Sequence, residues 1–229
     1  MRSFEGDITT LVVGLQELQY HVHRDRFAAR SAFFGIAAKP DWKEGRERRI
    51  PLPDDVPEVV DLYIQWVYTR SIFSRTRSDE DENTSGELDL LIDGFVFGEK
   101  IQDRQFQDAS VDSLIALLST PDKKTRPWSP STSHADRAYR GTPEGSPLRK
   151  LMVDQLLLHG QRDNLDGVYH IDHLVDLAAA SIDSRTAIRL KNPKKSTINV
   201  NNCWYHHHAD DQPCYRDTGL STPELRELW

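Results

Sequence analysis

The sequence predicts an α+β fold: a small β-sheet covered by a cluster of α-helices, followed by a partly helical C-terminal extension. Three observations carry this expectation. Leu18, Tyr20 and Val22 alternate with Gln19, His21 and His23, the period of two that marks a half-buried strand. Val59, Val60, Leu62, Tyr63, Ile64, Trp66, Val67 and Tyr68 cover nearly every side of one helix, and a helix that is apolar all round is buried. Leu88, Leu91, Ile92 and Phe95, then Phe106, Ala109, Leu114, Leu117 and Leu118, give two amphipathic helices in succession. Strands followed by a run of helices form an α+β domain.

Taken in order, Asp7 to Val13 is rich in β-branched residues and reads as a first strand. Gly14 to Glu17 is short enough to turn it into the alternating strand 18–23. A helical segment runs through Phe27, Ala28, Ser31, Phe33 and Phe34 until Lys39-Pro40-Asp41 interrupts it. Arg48 to Leu52 is a short strand, and its Pro51 has no N–H to donate, which places it at a sheet edge. Pro57 opens the buried helix, with Asp54, Asp55 and Glu58 where the helix dipole favours anions. Arg75 to Glu87, with Asp79-Glu80-Asp81-Glu82, is a solvated acidic loop. Within it, Asn83-Thr84-Ser85 matches a glycosylation acceptor, which is read as chance because no secretory signal accompanies it.

The charge is divided along the chain. Residues 1–118 hold 14 basic and 22 acidic residues, a balance of −8, while residues 119–229 come to +1, so the net −7 belongs to the first part. An acidic chain without a long basic run is a poor ligand for nucleic acid. No run approaches the roughly 18 apolar residues of a membrane span. The start, Met1 to Asp7, lacks the apolar region of a secretory signal. Two cysteines, Cys203 and Cys214, do not make a disulfide framework, so a reducing compartment, cytoplasmic or nuclear, is expected.

The first part resembles the BTB/POZ domain in its filamentous-fungal form. The resemblance is carried by Tyr20-His21-Val22-His23-Arg24, Ser31-Ala32-Phe33-Phe34, Gln65-Trp66-Val67-Tyr68-Thr69 and Leu91 to Lys100, in that order and spacing. It covers about residues 5–120, and Thr142 to Lys150 lies in a second short block at 139–158. The matching signature positions are Asp7, His23, Ser31, Phe34, Trp66 and Tyr68. The chain departs from the family at Asp25 and Arg26, leaving Phe27 as the apolar anchor there. It also has Arg70 where a glycine commonly ends the helix, and Gly94 inside a helix at a cost of about 1 kcal/mol. The expected organisation is a BTB/POZ-like domain at 5–118, a linker at 119–145 and an extension at 146–229 with a helix near 146–158.

The resemblance implies interaction and no enzymatic activity or cofactor. Its members self-associate or act as adaptors that recruit cullin-3 for ubiquitin ligase assembly, so the implied partners are proteins: a second copy, or cullin-3. Cullin adaptors often carry an apolar-x-Glu triplet between the second helix and third strand, where this chain has Trp42-Lys43-Glu44. An exposed aromatic supplies an anchor and a carboxylate supplies register. In the plainer reading, Trp42 caps the core and Glu44 is solvated. Only six residues precede Asp7, so a dimer that exchanges a long N-terminal strand is not expected.

A second class of function competes: a metal-binding or hydrolytic protein that uses the tail. Cys203 and His206 are three apart, Cys214 is a third candidate ligand, and His170 or His173 a distant fourth. That spacing matches no standard finger, and an accidental His cluster is the preferred reading. His21 and His23 share one face of a strand without a third ligand. No nucleophile elbow or glycine-rich phosphate loop supports an enzyme. In the extension, Ser146-Pro147 opens a helix with Leu148, Leu151, Met152 and Leu156 on one face. Leu174, Leu177, Ala178 and Ile182 form another such face, and Lys191, Lys194 and Lys195 are too few for a nuclear signal.

Overall fold

The computed structural model describes residues 6–76, 84–119, 129–165, 167, 169–189, 203–208, 212–218 and 227–228, and a hairpin is its first element. Strand β1 (Ile8–Val13) pairs antiparallel with β2 (Leu18–His23), with Leu11 opposite Tyr20. Helices α1 (Arg24–Ala28), α2 (Ala32–Ala37) and α3 (Lys43–Glu47) carry the chain back, so that β3 (Arg49–Leu52) lies parallel to β1. The sheet order is β2-β1-β3 and Pro51 sits on the edge strand, as its missing N–H requires. Leu11, Val13, Ile50 and Leu52 all turn inward.

The expected helix around Phe27 to Phe34 is two helices. Ser31 separates them by capping α2: its Oγ accepts from Phe34 N at 3.1 Å and donates to the Ile101 carbonyl at 2.5 Å. Helix α3 was not legible because its residues, Lys-Glu-Gly-Arg-Glu, carry no apolar period.

Helix α4 (Pro57–Thr69) is the buried centre, with Val60, Tyr63 and Trp66 fully enclosed. Arg70 ends it in the left-handed conformation at φ 60° and donates its N–H to the Trp66 carbonyl. A glycine is the usual residue for that backbone. Here the guanidinium lies over Trp66, 4.7 Å from the ring centroid, and so gains what a glycine cannot. After the two-residue strand β4 (Arg75–Thr76), α5 (Thr84–Ile101) and α6 (Arg104–Ser119) follow. Gly94 and Gly98 lie one turn apart on α5. A Cβ at Gly98 would meet Gln107 Cγ at 2.7 Å, and one at Gly94 would meet Leu62 at 3.2 Å. Close approach of α6 and α4 explains both glycines. The acidic run 79–82, Asn83 and the lysines 191–195 lie outside the described residues.

The boundaries of the expected linker need correction. Within 119–145 lies α7 (Thr132–Gly141), which buries Ala135, Ala138 and Tyr139 in the same core as the sheet. Three small or aromatic residues at i, i+3 and i+4 are too sparse to announce a helix. Helix α8 (Pro147–His159) follows, with Leu148, Leu151 and Met152 buried, as the 146–158 expectation has it. Helix α9 (Ile171–Arg189) coincides with the Leu174–Ile182 face, yet that face is largely exposed; among its residues 171–183, His173 alone is buried. A two-residue strand β5 (Glu227–Leu228) pairs parallel with β4. Tyr205, Cys214 and Tyr215 of the tail join the single core cluster, so the extension is not separate from the first domain.

Candidate functional site

Two places bring functional side chains together. The first is a cleft of about 420 Å³ where α2, α3 and the edge strand β3 meet. Phe33, Ile36, Ala37, Ile50 and Pro51 supply apolar walls, and Trp42, Glu44, Lys100 and Gln102 complete the lining. Trp42 is 54% exposed and Ile36 49% exposed, so Trp42 does not cap the core. Its backbone forms the N-cap of α3, which places Glu44 in the first turn. Arg46 is taken by the carbonyls of Pro40 and Asp41, and Lys43 by Glu47 at 3.9 Å. Among the described residues, no cation pairs with Glu44.

The signature residues serve the fold. Asp7 meets Arg24 at 3.6 Å and Arg48 at 3.4 Å, holding the hairpin to the chain on both sides. His23 is held by Tyr68, whose hydroxyl accepts from His23 N at 3.0 Å and lies 2.8 Å from Nδ1. His21 is exposed beside Thr10, so the two strand histidines have separate roles. Phe27, Phe34 and Tyr63 form a ring cluster with centroids 5.4–5.9 Å apart. Tyr63 donates to Asp103, a buried carboxyl pushed up to about 6 by its burial.

The second place is the tail. Cys203, His206, His208 and Cys214 converge, with one donor atom from each lying within 4.8 Å of the others. Cys214 Sγ is 3.5 Å from His206 Nδ1. The other ring nitrogen, Nε2, is 2.9 Å from Asp112 Oδ1 on α6. Asp112 also accepts from the Tyr215 hydroxyl and from Arg216, whose Nε lies at 2.8 Å. One turn earlier, Asp108 accepts from His207 N at 2.9 Å; burial pushes its carboxyl up to about 6. Tyr205 donates to Asp154 of α8 at 2.7 Å, and Tyr215 packs against Trp66 with centroids 5.9 Å apart.

No family model matches this chain, and neither does any curated protein. Among the described residues no helix is long and apolar enough to cross a membrane.

The tail cluster corrects one part of the sequence reading. The fourth donor is His208; His170 and His173 lie against Tyr139 instead, with ring centroids 5.7 and 5.0 Å away. The pattern Cys-x2-His-x-His-x5-Cys contains all four donors, but the sequence alone did not show that the tail folds back on α6. Asp108 and Asp112 went unnoticed. Their signal was present: two carboxylates four apart on a helix whose other faces are apolar must find donors.

Proposed function

We propose that this protein is a protein–protein interaction module of the BTB/POZ type, an adaptor that receives a partner at the Trp42 cleft. The observation that carries the reading is the pairing of an exposed Trp42 with Glu44, which no cation among the described residues pairs with, in the lining of a largely apolar cleft. A half-exposed tryptophan beside an apolar hollow is the composition of a binding hot spot. Lys100 also lines the cleft but is held by Asp55 at 2.7 Å, so the Glu44 carboxylate suits a partner that brings a basic residue. The element order, two strands, short helices, a parallel edge strand and then a helical run, agrees with the resemblance read from the sequence. Cullin-3 is the occupant that the Trp42-Lys43-Glu44 triplet favours, and self-association is the competing mode.

Affinity capture of cullin-3 by the purified chain, beside light scattering of the chain alone, tests this. Retention of cullin-3 that Trp42→Ala and Glu44→Ala each reduce at least tenfold supports the proposal. Retention unchanged in both variants removes the cleft from the account. Absence of cullin-3 binding together with a monomer in solution overturns the reading.

A further inference from the structure

Among the described residues 203–208 and 212–218, four are buried without the means that usually bury a chain. The described part has one short 3-10 turn at Tyr215–Thr218, yet Tyr205, His206, Cys214 and Tyr215 are each at least nine-tenths enclosed. Each cysteine opens a tight turn: His206 N donates to the Cys203 carbonyl at 3.1 Å and Asp217 N to the Cys214 carbonyl at 2.9 Å. Such a short irregular stretch gains little from its own apolar area, and small units of this kind are commonly held by a metal.

We propose that Cys203, His206, His208 and Cys214 bind one zinc ion, which fastens the tail to α6. Mixed thiolate and imidazole donors are the set zinc prefers. Tetrahedral zinc with bonds of about 2.3 Å to sulfur and 2.0 Å to nitrogen places neighbouring S and N donors about 3.5 Å apart. Cys214 Sγ and His206 Nδ1 are already at 3.5 Å. The widest donor separation, at most 4.8 Å, closes by about an ångström when the ion draws the side chains in.

The surroundings support the same assignment. Asp112 is a carboxylate beside His206 Nε2, so that nitrogen carries the proton and Nδ1 is left with its lone pair directed at the cluster. This is the carboxylate–histidine–metal arrangement that fixes a ligand's tautomer and raises its basicity. Arg216 pairs with Asp112, and two thiolates would balance the charge of a divalent ion. Four protein donors leave no open coordination position. The site is therefore structural, and the hydrolytic use of the tail has no place for a water.

The test is metal analysis of the full chain purified without chelator, with cobalt substitution as a second readout. About one zinc per chain is expected, and cobalt gives tetrahedral visible bands with thiolate charge transfer in the near ultraviolet. Cys203→Ser, Cys214→Ser and His208→Gln lower zinc affinity at least tenfold, whereas His207→Gln, whose ring stacks on Phe95, retains the ion. Should a cysteine variant fail to fold, the cobalt spectrum of the unaltered chain still reports thiolate ligation. A folded chain without zinc that also gives no thiolate band with cobalt overturns the proposal. So does a Cys203–Cys214 disulfide in protein purified under reducing conditions.

Discussion

His206 Nε2 and Asp112 Oδ1 lie 2.9 Å apart across 94 residues of sequence, both almost wholly buried. This contact joins the tail to a helix in the centre of the fold. It makes α6 a two-faced element, with Phe106 and Leu114 fully buried in the core and its carboxylates bonded to His206, His207, Tyr215 and Arg216.

Asp112→Asn tests that role. The amide keeps the shape but turns one acceptor into a donor that faces His206 or Arg216. Unfolding in urea is expected to show a loss of about 1–3 kcal/mol, the cost of an unsatisfied buried polar group. A loss below 0.5 kcal/mol, on the order of an ordinary surface change, contradicts the role.

Tyr68→Phe separates fold from binding. The hydroxyl that holds His23 disappears, and about 1–2 kcal/mol of stability goes with it. Partner binding at the Trp42 cleft is expected to stay within twofold once the protein is folded. Thermal melts and binding curves on the same samples distinguish the two effects.

Gly98→Ala is expected to destabilise by about 1–3 kcal/mol. The added methyl meets α6 at 2.7 Å, and overpacking outweighs the roughly 1 kcal/mol that alanine gains in a helix. At Gly94 the nearest contact is 3.2 Å, so the two effects nearly cancel. Denaturation midpoints of the pair are therefore predicted to differ in the order Gly98→Ala below Gly94→Ala.

Asp103 gives the stability a defined pH slope. Burial raises its carboxyl from 3.8 to about 6, beside the Tyr63 phenol and facing Arg30. The folded state thus holds the proton more tightly than the unfolded state. The penalty for the buried charge is complete above pH about 6 and is relieved as the pH falls towards about 4. Relative to Asp103→Asn, the unaltered chain is expected to gain about 2 kcal/mol between pH 7 and pH 4.5. A difference that stays flat across this range contradicts the assignment.

The sheet and the central helices were readable because each has one clear period. Leu18 to His23 alternates, and Pro57 to Tyr68 is apolar on all sides. The edge position of β3 followed from one missing donor at Pro51. What could not be read were elements defined by partners distant in sequence. Helix α7 shows three inward apolar residues, a buried His134 and a Ser131 N–H bonded to His134 Nδ1, which no apolar period announces. At the cleft, Trp42-Lys43-Glu44 was visible as a triplet, but its exposure was not. The tail's cysteines and histidines were visible as residues, and only the placement of His206 and His207 against Asp112 and Asp108 shows that four of them converge.

The central claim concerns the Trp42 cleft, and calorimetric titration of cullin-3 into the unaltered chain and into Trp42→Ala tests it most directly. Trp42 is half exposed, so its removal is expected to shift the melting temperature little. The account predicts saturable binding to the unaltered chain and at least a tenfold weaker affinity for Trp42→Ala, a loss of 1.4 kcal/mol or about that much. Equal affinities for two equally stable proteins would contradict it.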